Sequence, residues 1–424
     1  MTLPVFFEQR QIGTVHEDVA GPRFIYAADW VADPTAFPIS ITMPLAEREA
    51  PPERFLFWAA NLLPEAEQLT LMARHLGIAS GDVLGLLAAI GRDTAGALSF
   101  GAQGNTGRAE WKRIENEAAL ERILDELPRK PFLAGDDGVS MSLAGVQSKL
   151  AVSRDEAGRL YIPLGGAPST HILKPDSDRL FGSVQNEAFC LALARRCRLK
   201  VPPVTTGVAG KRQYFLIDRY DRRATGDTWL RRHQEDFCQA LGRPPTAKYE
   251  SNRTGIPGPT LAEMLGTVRR HALAPDVLTL LDAAVFNILV CNTDAHAKNY
   301  SLMLPGGGKR PAMAPLYDAV CAEPYEGITR NLAQRIAGKN RGEHLRRRHW
   351  LRFAREAGLG PGATLRRIEG LATAMLRLAP LARADVEAMP AGGHALLPVV
   401  EQAVVARCRA ILDGLADKAD DEAE

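Results

Sequence analysis

Apolar and polar residues alternate at several points in the first hundred positions, and the alternation predicts short strands over residues 5–7, 12–15, 24–27 and 39–43. Residues 64–76 carry apolar side chains at helical spacing, so this part reads as a small α/β unit. The same spacing with mixed charge predicts a helix over 109–127, and the Pro- and Gly-rich run over 128–138 predicts a break after it. Strand patterning returns at 149–153, 160–163, 171–174 and 214–217, around a single helix at 185–196. From about residue 230 the pattern turns almost wholly helical, over 234–241, 260–271, 275–290, 342–357, 364–377 and 398–415. The expected organisation is an α/β domain over 1–108, a strand-rich lobe over 109–222, a helical lobe over 223–416 and an acidic tail over 417–424. The fold class is therefore α+β with two lobes, an order in which ligands usually bind in a cleft.

Composition narrows the function classes. With 46% hydrophobic and 24% charged residues over 424 positions, whole-chain disorder is excluded. Lys plus Arg total 52 against 50 Asp plus Glu, so no global charge draws the chain to nucleic acid or to an anionic membrane. The first ten residues lack the basic start and apolar core of a secretory signal. The most apolar later run, 277–290, is interrupted by Asp282 and Asn287 and is shorter than the roughly 20 residues of a bilayer span. A cytoplasmic location without membrane contact is expected. Six scattered cysteines with no C-x-x-C pair predict reduced core thiols rather than a zinc cluster.

Candidate chemistry concentrates after the apolar run, in Cys291-Asn292-Thr293-Asp294-Ala295-His296-Ala297-Lys298-Asn299. Asp294 and Asn299 have the D-x-x-x-x-N spacing of a kinase catalytic loop, where the Asp accepts a hydroxyl proton and the Asn holds Mg²⁺. A polar turn capping two helices is the alternative for these nine residues. Asp318, closing Pro315-Leu316-Tyr317-Asp318, can supply a second metal-holding carboxylate, or be an ordinary turn residue. Lys174 ends a strand-like run and can reach ATP phosphates with Glu187 as its partner, or stand on an edge strand in water. His296 is expected to orient the loop by hydrogen bonding, and it is grouped with Lys298 among the ATP-binding residues. The small residues of Ser142-Leu143-Ala144-Gly145-Val146-Gln147-Ser148-Lys149 can cradle a phosphate, and Ser142 or Ser148 could carry one. No Walker A, G-x-S-x-G or H-E-x-x-H pattern occurs.

Read together, these blocks resemble the HipA family of serine/threonine kinase toxins from bacterial toxin–antitoxin systems. The resemblance also rests on Asn186-Glu187, Asp218-Arg219-Tyr220-Asp221-Arg222, the run from His233 to Gly242, and the run from Leu86 to Leu98. It implies a protein-kinase-like fold and a toxin kinase using ATP and Mg²⁺, with Asp294 as catalytic base, Asn299 and Asp318 as metal ligands, and Lys174 on the phosphates. It further implies that Asp218, Arg219 and Tyr220 form the adenine-side hinge and that Val146, Gln147, Ser148 and Lys149 form the phosphate-binding turn. Ser142 would be the self-phosphorylated serine, with Ser140 and Ser148 as neighbouring alternatives. The implied partners are a helix-turn-helix antitoxin (HipB-like), operator DNA through that antitoxin, and an aminoacyl-tRNA synthetase as substrate. The basic stretch 339–349 could lie on DNA or be a solvated helix face. Two other readings stay open, an ATP-binding co-repressor module and a kinase for a non-protein acceptor.

Overall fold

Alternation of buried and exposed side chains builds the first sheet. Leu3 and Val5 on Thr2–Phe7, Ile12 and Val15 on Arg10–Asp18, and Phe24 and Tyr26 on Gly21–Tyr26 are all buried. The strands pair antiparallel, with Val5 opposite Gly13 and Val15 opposite Phe24. A side chain at Gly13 would meet the Phe24 ring at 2.4 Å, so only glycine lets the two strands approach here. Glu49–Ala50 and Leu98–Phe100 flank the sheet. Helices Pro52–Ala60 and Val83–Ile90 bury Phe55, Trp58, Leu84 and Leu87 in the same core, each side chain contributing about 1.5–3 kcal/mol.

The computed structural model describes residues 1–19, 21–101, 110–226 and 228–417. The expected limit at 108 and the tail beyond 417 lie outside the described residues. The chain forms two compact units. One comprises Met1–Pro175, Val208–Pro245 and Leu302–Pro311; the other comprises Asp176–Gly207, Thr246–Ser301 and Ala312–Glu424. These units cut across the sequence segments, because tertiary packing and not chain order decides membership. The helix Ser183–Arg196 packs on Pro361–Glu387 and Leu396–Ala416, all within the second unit.

The first unit carries a second sheet, with strands in the order Arg212–Asp218, His171–Pro175, Leu150–Arg154, Leu160–Leu164 and Glu110–Arg113. His171–Pro175 is interior, with Lys174 opposite Phe215 on one side and Leu173 opposite Leu150 on the other. Three expected elements change here. Residues 39–43 are not a strand but a turn closed by a Ser40–Met43 bridge. The Ser40 hydroxyl accepts the Thr42 amide at 3.1 Å, a local bond that competes with strand pairing. The expected helix over 109–127 splits into strand Glu110–Arg113 and helix Glu117–Glu126, which starts where Asn116 accepts the Ala119 amide at 2.9 Å. The expected helix over 234–241 splits likewise into Gln234–Asp236 and Phe237–Ala240, where Asp236 and Gln239 form a capping box.

The second unit is mainly helical. Leu261–His271, Ala274–Leu289, Arg347–Glu356, Pro361–Glu387 and Leu396–Ala416 match the expected helices, the fourth running past its expected end and through Pro380. Burial of Ala379, Ala382 and Val386 holds that helix across the amide that Pro380 lacks. A short hairpin, Asn331–Ile336 with Lys339–Arg341, interrupts the helices, so the basic stretch 339–349 begins as a strand, passes through the 3-10 turn Gly342–His344 and enters an α-helix at Arg347. The apolar run is a buried helix, and no described helix is long and apolar enough to cross a membrane. All six cysteines are free thiols, five of them buried.

Candidate active site

In the second unit the helix Ala274–Leu289 delivers the polar loop. Cys291 takes a left-handed conformation (φ 59°) that stops the helix, and the Asn292 amide returns to the Asn287 carbonyl at 2.8 Å. Asn292 then holds the loop in place. Its side chain donates to Asn287 Oδ1 at 2.9 Å and to the Asp318 carbonyl at 3.4 Å, and accepts the Asp294 amide at 3.1 Å. The Asp294 carbonyl accepts the His296 amide at 2.7 Å and Asn299 Nδ2 at 2.8 Å, closing the loop on itself.

From Cys291 to Tyr300 every residue is buried except Asp294. Asp294 is thus presented at the surface by a bonded, buried frame. Its carboxylate accepts the Tyr249 hydroxyl, and the Tyr249 ring meets the His296 ring edge to face at 5.2 Å. His296 and Lys298 are both buried, at 5% exposure.

Asp318 is half-buried and sits in the left-handed region (φ 56°), sparsely populated by non-glycine residues. Tyr317 ties it to the loop: its hydroxyl donates to the Lys298 carbonyl at 2.7 Å and lies 2.8 Å from Ser301 Oγ. The structure thus brings Asp294, Asn299 and Asp318 into one hydrogen-bonded assembly. Because Asn299 Nδ2 is committed to Asp294, Oδ1 is the atom it can offer a cation. One amide oxygen and one carboxylate form a hard-oxygen set, suited to an ion that keeps waters or phosphate oxygens as further ligands. Glu187 is also in this unit, buried on Ser183–Arg196. Its neighbour Asn186 exchanges two 2.9 Å bonds with the Cys321 backbone, three residues beyond Asp318.

The first unit holds the other expected residues. Lys174 is 5% exposed on an interior strand, which replaces the edge-strand reading, and its ammonium lies 5.9 Å from the Phe215 ring centroid. Asp218 ends its strand with Oδ1 3.0 Å from His171 Nε2, while His171 Nδ1 lies 2.7 Å from Thr170 Oγ1. The Tyr220 hydroxyl donates to Gln234. The Arg219 guanidinium is buried in ion pairs with Asp221 and Asp93, and its amide donates to the Thr170 carbonyl at 2.9 Å.

Gly145 turns the serine-containing loop with φ 112°, a conformation that favours glycine. Val146 is exposed at the loop tip, and Gln147 and Ser148 are half-buried. Lys149 folds back, donating to the Ala144 carbonyl at 2.6 Å, so it braces the turn. Ser142 is fully buried, and Ser140 bonds to Ala89 at 3.0 Å.

Sequence reasoning missed Tyr249, Asn287 and the roles of Asn292 and Tyr317. Asn287 did leave a signal, since an amide inside an apolar helix must find a partner. Tyr249, half-buried in the fold, left none, because nothing in its local sequence distinguishes it from other tyrosines.

Comparison with known proteins covers most of the chain. Residues 3–101 match the HipA N-terminal domain and 141–379 the HipA-like C-terminal domain. The Sinorhizobium fredii protein Y4mE, named as a kinase, is 38% identical over 87% of this chain and 89% of its own length. The serine/threonine-protein kinase toxin HipA of Shewanella oneidensis is 32% identical over 79% of this chain and 78% of its own. A Shewanella oneidensis HipA solved with HipB and operator DNA superposes with a TM-score of 0.86 over 99% of both chains, at 27% identity.

Proposed function

This chain belongs to the HipA family, and from that premise we propose that it is an ATP-dependent serine/threonine kinase toxin acting on a protein hydroxyl. The observation that carries the reading is Asp294, the one exposed side chain in a loop otherwise buried from Cys291 to Tyr300. Asp294 accepts the proton of the substrate hydroxyl as its oxygen bonds to the γ-phosphorus; the bond between that phosphorus and the β–γ bridging oxygen breaks, and ADP leaves. Tyr249 and the Asn299 clamp hold the acid in one orientation, the positioning on which phosphoryl transfer depends.

Asn299 and Asp318 would hold Mg²⁺, which when bound neutralises phosphate charge. Lys174 contacts the ATP phosphates, Asp218 and Tyr220 line the adenine side, and residues 146–149 form the turn over the phosphates. Ser142 is the self-modification site. The antitoxin partner is a HipB-like helix-turn-helix protein, a reading supported by the Shewanella oneidensis complex with HipB and operator DNA. The substrate class is an aminoacyl-tRNA synthetase, on family resemblance.

Intact-mass measurement of wild type and Asp294→Ala, dephosphorylated and then incubated with MgATP, tests the reading. One phosphate gained by the wild type alone and mapped to Ser142 is the expected result. Equal phosphate gain in Asp294→Ala would overturn it.

A further inference from the structure

The first unit contains a buried ion cluster that the reaction as described does not use. Asp93 and Arg222 are almost fully buried, and Arg219, Asp221 and Arg231 have side-chain exposures of 7% or less. With Glu8, which pairs with Arg231 at 3.1 Å, three acids balance three guanidinium groups. Asp93 stands at the centre. Its Oδ1 accepts Arg222 Nη2 at 2.7 Å and lies 3.5 Å from Arg231 Nη2. Its Oδ2 accepts the Ser169 hydroxyl at 2.5 Å and Arg219 Nη1 at 3.3 Å.

Neighbouring backbone joins the same lattice. Arg219 donates to the Thr94 carbonyl at 2.7 Å, Arg222 to the Gly96 carbonyl at 2.8 Å, and the Gly96 amide to Asp221 at 2.7 Å. Segment 93–96 and segment 219–222 are therefore locked in register. The Asp93 main chain points the other way: its carbonyl accepts the Ser142 amide at 3.0 Å, and Asp93 bridges Met141. Burial alone would push the Asp93 carboxyl up, but the charges of Arg222, Arg219 and Arg231 outweigh it and hold the group well below the usual carboxylate range.

Buried ion clusters are poor sources of net stability, since apolar side chains of similar volume do as well; their best-attested use is to set register. Here the two segments set in register by one residue are the start of the serine loop and the hinge. We propose that Asp93 is a positioning residue of the nucleotide site, orienting the hinge Asp218–Tyr220 through its carboxylate and the Ser142 loop through its carbonyl. The N-terminal segment thereby becomes part of the ATP-binding apparatus. The inference rests on the kinase reading and deepens it.

The test is the affinity of full-length Asp93→Asn for MgATP and for adenosine by calorimetry, with kcat and KM for MgATP in the transfer assay. Asparagine keeps one oxygen and sets an amide against a guanidinium, so both affinities should fall about tenfold or more, with KM rising more than kcat falls. Tyr26→Phe is the control. It breaks buried hydrogen bonds to Met43 and Ile39 elsewhere in the same unit and should lower Tm without moving either affinity. Ser169→Ala, which deletes one bond to Asp93 and the acceptor that Arg219 Nη1 reaches at 2.9 Å, should weaken MgATP by a smaller factor and decides the matter if Asp93→Asn fails to fold.

Wild-type affinity in folded Asp93→Asn, or in Ser169→Ala where the first does not fold, would overturn the proposal. So would equal weakening in Tyr26→Phe, or a loss confined to kcat. If wild type itself binds no MgATP, the kinase reading fails and this inference with it; wild-type binding that is indifferent to Asp93 overturns this inference alone.

Discussion

Ser142 donates its hydroxyl to the Leu62 carbonyl at 2.7 Å from a position with no solvent exposure. The bond is one of a set: the Ser142 amide reaches Asp93, and the Glu65 amide reaches the Gly145 carbonyl at 3.2 Å. A phosphate at Ser142 has no room here and would set a dianion against buried backbone oxygens, so modification requires the loop to leave its seat.

Ser142→Asp should therefore release the loop and weaken MgATP binding more than tenfold, while Ser142→Ala should only cost stability. Removing the donor leaves the Leu62 carbonyl without it, a loss of about 1–3 kcal/mol in urea unfolding. Equal MgATP affinity in both variants would show that the seat of Ser142 is irrelevant to the nucleotide.

Asn299 donates Nδ2 to the Asp294 carbonyl, and under the proposed function its Oδ1 would serve a cation. Asn299→Ala should lower the transfer rate by about 10–100-fold and raise the Mg²⁺ concentration for half-maximal rate. Asn299→Asp should restore part of the Mg²⁺ dependence without the clamp. A Mg²⁺ titration of the transfer rate reads both.

Tyr249→Phe removes the hydroxyl that holds the Asp294 carboxylate and nothing from the packed core. The expected result is a kcat lower by roughly 3–10-fold, with Tm and the KM for MgATP unchanged. A shift in KM with kcat intact would place Tyr249 in nucleotide binding instead.

Two buried groups near each other in sequence give opposite pH limbs. Burial lowers the His233 pKa to about 4; Nε2 lies 2.8 Å from the Ile39 carbonyl and Nδ1 3.5 Å from the Ala97 amide, a pattern that needs the neutral ring. Its folded value lies below the unfolded one, so the unfolded chain takes up the proton first and stability falls as pH drops from about 6.5 toward 4. Burial raises the Glu235 pKa to about 8, against the pull of the Ile41 amide at 2.9 Å. The folded chain then holds a proton the unfolded chain has lost, and stability falls as pH rises from about 4.5 toward 8. Glu235→Gln should flatten the alkaline limb of Tm against pH and leave the acid limb in place. An unchanged alkaline limb would remove Glu235 as its cause.

Much of the candidate site was legible in local sequence. The helix that delivers the polar run Cys291–Asn299 follows from hydrophobic periodicity, and the Asp294-to-Asn299 spacing needs only a tight loop to become geometry. Lys174 was legible as a strand residue but not as an interior one, because strand order is set by pairing partners far along the chain. The split of residues 109–127 and 234–241 turned on side-chain caps at Asn116 and Asp236, whose bonds begin each helix later than apolar spacing suggests.

By itself the sequence determined most of the elements, the family and the residue types of the polar loop Cys291–Asn299, since periodicity and motif spacing are properties of neighbours along the chain. Only tertiary structure decided that the Arg219 guanidinium is buried against Asp93, 126 positions away, and that Tyr249 reaches Asp294 across 45. The physical reason is that a buried charge or amide must find a partner, and which partner is decided by the segments that packing brings beside it.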